Sequence, residues 1–158
     1  MLQRLQTVYL TAIIIIAATL CTGSVVKVQE TVNGVTNDYS LNMFYYTSVQ
    51  NGEVKSEIQI GLIALIAIII GITLFVIFSF KDRKKQLKFA KVNYIFMILL
   101  VLVVLLKAIS IPSFAFGNLF PYSLVGMLLM AFLFYLNWRA IRLIRKDEKL
   151  VTDADRLR

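Results

Sequence analysis

The sequence has no histidine and a single cysteine, Cys21. Without histidine there is no imidazole to hold a metal, no Ser-His-Asp triad and no Cys-His pair. One cysteine permits neither an intrachain disulfide nor a paired-thiol redox motif. Proline occurs only at Pro112 and Pro121, and charged residues are only 16% of the chain. Soluble domains carry about 25%, so the usual solvated surface is missing. The charges that exist are clustered, and long stretches hold none. Neither a cofactor nor a metal is expected from these residues.

What remains is apolar. The chain has 158 residues, 59% of them hydrophobic, with a mean hydropathy of +0.77. This composition points to a polytopic membrane protein and away from a soluble enzyme or a disordered chain. The net charge of +8 does not argue for a nucleic-acid partner. Its cations crowd beside apolar runs, where membrane topology alone would put them.

A transmembrane helix needs about 20 apolar residues. Four segments satisfy this: 7–26, 58–80, 92–110 and 122–140. Between them lie loops 27–57, 81–91 and 111–121, and a tail follows at 141–158. The first segment could be a cleaved signal peptide, since Arg4 precedes it and Thr22-Gly23-Ser24 is a passable cleavage region. Its apolar run is longer than a usual signal core, so an uncleaved anchor is the preferred reading. The expected fold class is an all-α membrane protein. It would be one domain, a four-transmembrane-helix bundle with a small extracytoplasmic β-hairpin or meander between helices one and two.

Lysine and arginine set the expected orientation. Arg4 precedes the first span. Lys81, Arg83, Lys84, Lys85, Lys88 and Lys91 fall between the second and third. Arg139, Arg142, Arg145, Lys146, Lys149, Arg156 and Arg158 follow the fourth. These are fourteen of the seventeen cations. The pattern predicts a multi-pass membrane protein with both termini cytoplasmic.

The 27–57 loop is rich in β-formers and carries Asn33-Gly34 and Asn51-Gly52. Asn-Gly between β-formers is the strongest short hairpin signal. Two or three strands are predicted, with 39–49 as one β-prone run. Phe44-Tyr45-Tyr46 either covers the bundle end or forms a docking surface. The 111–121 loop, with Pro112, Gly117 and three phenylalanines, reads as a re-entrant or interfacial cap.

Inside the spans, Gly61, Ala64, Ala67 and Gly71 share about a third of one helix's circumference. Such a stripe suits close helix packing within the chain, or between two copies. Lys107 is the one ionisable group well inside a span. It lies about 22 Å along its helix, where it can snorkel outward or pair with Glu57. An ion or substrate role is the other reading. No span holds an acidic residue, which disfavours a proton-coupled transporter. At the C-terminal end Arg139, Arg142, Lys146 and Lys149 project into an arc of about 80°, with Ala140, Ile141, Ile144 and Val151 on another face. This amphipathic stretch reads as a contact for anionic headgroups or for a protein partner.

The two ends also carry a resemblance. Met1-Leu2-Gln3-Arg4-Leu5-Gln6 resembles the opening of the DUF4293 family, a Met-hydrophobic-Gln-Arg-hydrophobic-Gln pattern. Lys146-Asp147-Glu148-Lys149-Leu150-Val151 through Asp155-Arg156-Leu157-Arg158 resembles its close. The resemblance implies a small integral protein of the bacterial inner membrane, of the kind found mainly in the Bacteroidota. It implies no activity and no catalytic residues. Three functions remain open at this point. The first is a non-enzymatic accessory or scaffolding subunit of an envelope complex. The second is a small oligomeric transporter or channel built on Lys107 and the small-residue stripe. The third is a lipid-acting enzyme, for which Ser123 and Glu57 lack an orienting base.

Overall fold

A computed structural model describes residues 2–32, 35–50, 52–80, 82–111 and 121–156. Helix α1 spans Leu2–Thr22. Four strands follow: β1 Ser24–Val32, β2 Val35–Asn42, β3 Tyr45–Gln50 and β4 Glu53–Ile58. Helix α2 is Ile60–Phe78, α3 is Arg83–Ile109 and α4 is Pro121–Arg156.

The strands form one antiparallel sheet in the order β1-β2-β3-β4. This corrects the all-α class. The fold is four helices joined to a four-stranded meander, more strand than a hairpin of two or three. Three physical causes explain the undercount. The 39–49 run contains a turn that no glycine or proline marks. Asn42 makes it instead, its Oδ1 accepting from the backbone N–H groups of Phe44 and Tyr45, an Asx turn. Next, β4 reads Glu-Val-Lys-Ser-Glu-Ile, which is poor in β-formers. Its pairing with β3 from Tyr45↔Ile58 to Gln50↔Glu53 holds it extended. Finally, Val25 and Val26 look like the end of a span but lie buried in β1.

Both Asn-Gly sites join neighbouring strands. The pairs Val32↔Val35 and Gln50↔Glu53 leave two residues between partners. Gly52 adopts φ +82°, the left-handed conformation that such a turn requires and glycine tolerates. Asn33, Gly34 and Asn51 lie outside the described residues, as does 112–120, the stretch expected to form a cap. Tyr39 ties β2 to β3, its hydroxyl accepting from Gln50 Nε2 at 2.9 Å.

The helices run up, down, up, down. α1 touches α2 and α4, and α3 touches the same two. Their buried positions show why. On α1 they are Gln6, Leu10, Ile13, Ala17 and Leu20, and on α2 Leu62, Ile66, Ile69, Thr73 and Val76. On α3 they run from Gln86 through Ala90, Asn93, Met97 and Leu100 to Val104. Steps of alternating three and four average 3.5 residues. That is the spacing of helices packed about 20° apart with a left-handed twist.

Each helix buries only 28 to 33% of its apolar window, and all four are long and apolar enough to cross a membrane. The outward residues are Ile15, Ile68, Phe75, Ile98, Leu102, Leu128 and Phe132, not charges. A helix bundle apolar on its outside as well as its inside has lipid for solvent. These are the helices of a multi-pass membrane protein.

The stripe Gly61, Ala64, Ala67 and Gly71 is exposed throughout, and nothing lies within 4 Å of a Cβ added at Gly61 or Gly71. It therefore does not serve packing within the chain. The close approach occurs at Gly126 instead, where α4 crosses β1. One turn earlier Ser123 seals the edge of the same strand. Its Oγ accepts from the Lys27 N–H at 2.8 Å and donates to the Lys27 carbonyl at 3.0 Å. Proline at the first position of α4 suits a site whose N–H has no helical partner.

Candidate functional site

The sheet end of the bundle holds a groove of about 390 Å³ between β3–β4 and the last turns of α3. Tyr46, Glu57, Gln59, Lys107 and Ser110 line it with Val103, Leu106 and Ile111. Each wall has a local cause. Glu57 faces the groove from β4, directly opposite Tyr46 on β3. Gln59 extends that pairing, its N–H donating to the Phe44 carbonyl at 2.8 Å. The Gln59 carbonyl then accepts from Leu62 and Ile63 N–H at 3.0 and 3.1 Å, which starts α2. Lys107 sits in the last turn of α3, where a cation complements the exposed carbonyl end of a helix. Ser110 closes that turn, its Oγ donating to the Leu106 carbonyl at 2.8 Å.

The two residues singled out by sequence, Glu57 and Lys107, thus share one groove, with no ion pair between them among the described residues. The groove is electrically divided: a carboxylate on the strand side, an ammonium on the helix side. Burial, then the neighbouring Tyr39 and the Glu57 charge, push the Tyr46 phenol above its ordinary range. Phe44 and Tyr45, beside it in sequence, are exposed with ring centroids 6.5 Å apart.

A second cluster lies inside the bundle toward the end that carries the termini. Asn93 Nδ2 donates to Thr73 Oγ1 at 2.9 Å, and Thr73 Oγ1 donates to the Ile69 carbonyl at 2.7 Å. Gln86 Nε2 donates to the Val76 carbonyl at 3.0 Å, near the end of α2, where carbonyls lack helical partners. Asn137 Nδ2 donates to the Ala90 carbonyl at 3.2 Å. These bonds tie α3 to α2 on one side and to α4 on the other. All four side chains are buried, and Oδ1 of Asn93 and of Asn137 has no protein partner. Sequence reasoning missed this cluster because it looked for charges. The available signal was Gln86 and Asn93, seven residues apart on the stripe that also holds Met97 and Leu100.

At the terminal end the four cations of the C-terminal arc divide. The Arg139 guanidinium turns inward over the Tyr9 ring of α1, 5.8 Å from its centroid. Arg142 lies over its own neighbour Trp138 at 3.8 Å. Lys146 and Lys149 are exposed. Within the same stretch, Asp147 Oδ2 meets Arg83 Nε at 2.9 Å, joining the start of α3 to the long α4. Both partners are largely shielded from solvent, so Asp147→Asn should lower stability by about 1 kcal/mol, the upper end for such a pair. Unfolding in mixed micelles at low salt measures the loss, which shrinks as added salt screens the wild-type pair.

The family model described as a domain of unknown function (DUF4293) matches residues 2–157. The chain belongs to the DUF4293 family. No curated protein matches it. Chemistry in this DUF4293 chain must therefore be argued from its own groups. Ser123, the hydroxyl considered as a nucleophile, gives both of its hydrogen bonds to the Lys27 backbone. Among the described residues no three Cys, Asp or Glu side chains gather as metal ligands. The groove, by contrast, sets one positive and one negative group at the boundary between apolar helices and a polar sheet. That arrangement suits a ligand that carries both charges.

Proposed function

We propose that this DUF4293 protein is a non-enzymatic accessory subunit of the bacterial inner membrane. Both termini would be cytoplasmic, and the sheet would hold an envelope partner on the other side. The orientation rests on the fourteen cations at the terminal end of the bundle, following the positive-inside rule. The docking role rests on one observation, the difference between the two edges of the sheet.

The β1 edge is sealed by Ser123 and by the close approach of α4 at Gly126. The β4 edge pairs with β3 alone, and all six of its residues are exposed. An open edge is a template for another strand. Here it has a selective pattern. Val54 and Ile58 alternate with Glu53, Lys55 and Glu57, so an incoming antiparallel segment gains from an acid opposite Lys55 and a base opposite Glu53. Lys55 in mid-edge also discourages indiscriminate pairing.

A photo-crosslinker placed at Lys55 in living cells tests the proposal. One discrete adduct is expected, at near-equal stoichiometry, and weakened by charge reversal at Glu53. Recovery of the chain without an adduct, in amounts showing that it is folded, overturns it.

A further inference from the structure

We propose that the groove between β3–β4 and the end of α3 binds a zwitterion that joins a phosphate to a primary ammonium through two carbons. In a bilayer this is the headgroup of phosphatidylethanolamine. The proposal uses only the membrane-spanning helices and the groove; it stands whether or not β4 receives a partner strand.

Three observations carry it. First, Glu57 and Lys107 occupy opposite walls without closing on each other. Glu57 is held on a strand opposite Tyr46, and Lys107 on a helix terminus. Each charge lies beside apolar surface with its counter-charge across a gap, and a ligand of reversed polarity satisfies both. Phosphate oxygens accept from the Lys107 ammonium, and the ligand's ammonium donates to the Glu57 carboxylate.

Second, the groove straddles two media. Gln59, Tyr46 and Ser110 make its polar part, while Val103 and Leu106 line it one turn deeper along α3. Leu106 is 59% exposed on a helix long and apolar enough to span the bilayer. A headgroup seated between the charges would lay its acyl chains along that face. Third, the volume of about 390 Å³ is in the range of small-ligand sites.

The same chemistry discriminates. A choline headgroup keeps the charge but has no N–H to donate to Glu57. A glycerol headgroup has no cation and meets Glu57 as an uncompensated negative charge. One charge-assisted hydrogen bond corresponds to about a tenfold preference.

The test uses the full chain purified in mild detergent and offered equal amounts of phosphatidylethanolamine, phosphatidylcholine and phosphatidylglycerol. Native mass spectrometry reads which lipid stays bound. The expected result is an ethanolamine preference of about tenfold over choline. Glu57→Gln should erase that preference, because the amide no longer attracts the ammonium. Lys107→Ala should lower retention of all three lipids. Neither side chain is buried, so both variants should fold, and an unchanged melting temperature checks this. Soluble glycerophosphoethanolamine separates the two sources. Displacement of the lipid assigns recognition to the headgroup alone; its failure, with the preference intact, assigns the site to the whole lipid. Equal retention of the three lipids by the wild-type chain overturns the proposal. So does an ethanolamine preference that survives Glu57→Gln and Lys107→Ala.

Discussion

Gly126→Leu should separate α4 from the sheet and cost about 2–5 kcal/mol, combining an overpacking penalty with the loss of two hydrogen bonds. A Cβ at this position would lie 2.8 Å from Val25 Cα and 2.9 Å from the Val25 carbonyl oxygen. Both are backbone atoms of a paired strand, so no side chain can swing aside to relieve the contact. The strand must move away from the helix. Ser123, one turn earlier, then loses its grip on both backbone groups of Lys27. Since that grip seals one edge of the sheet, damage should spread beyond the mutated turn.

The measurement is unfolding by dodecyl sulfate in mixed micelles, followed by circular dichroism. Gly126→Ala should already lower the midpoint, because its single added carbon is the one that collides. Gly61→Ala and Gly71→Ala are the contrasts: nothing lies within 4 Å of either added carbon. They should leave stability unchanged or raise it by up to about 1 kcal/mol through helix propensity. If Gly126→Ala were as benign as these two, the close crossing of helix and strand would be wrong.

The three glycines in question show what sequence can and cannot convey. Periodicity located a face of small residues on α2, but not the direction in which that face points. In water an apolar face points inward. In lipid both directions are apolar, so the usual inference from hydropathy to burial fails, and Gly61 and Gly71 proved to face outward. Gly126 stands alone among large residues and gave no pattern at all, since its partner is a strand one hundred residues earlier in the chain.

The helices themselves were legible because a run of about 20 apolar residues has few other fates. The pairings of β1 with β2 and of β3 with β4 were legible because Asn-Gly between β-formers signals a hairpin. The middle turn was not, because the Asn42 side chain supplies the bonds and the residues that turn, Met43 and Phe44, carry no signal of their own. Of the candidate site, Glu57 and Lys107 stood out as charges beside apolar runs. Tyr46 and Gln59 join them only through strand pairing and the start of α2, and no local pattern foretells either.

Asn93→Asp should be a damaging isosteric change, at about 3 kcal/mol, because it leaves a carboxylate unpaired in a buried cluster. Asn93 is fully buried. Its Nδ2 donates to Thr73 Oγ1, whose own hydrogen is committed to the Ile69 carbonyl. Replacing that amide by a carboxylate oxygen puts two acceptors face to face, and leaves Thr73 to choose between them. The second oxygen fares no better, because Oδ1 of Asn93 already lacks a protein partner. Among the described residues Arg139 is engaged with Tyr9 and Arg83 with Asp147, and Lys88 and Lys91 are exposed. The contrasting substitution is Asn93→Leu. It gives up one hydrogen bond but also removes the unpartnered carbonyl, so its net cost should be at most about 1 kcal/mol. The same dodecyl sulfate titration, run on both variants at neutral pH, ranks them. A carboxylate tolerated as well as the leucine would mean that water or a counter-charge reaches the middle of α3, and that the Thr73–Asn93–Asn137 region is an aqueous compartment and not a dry polar brace.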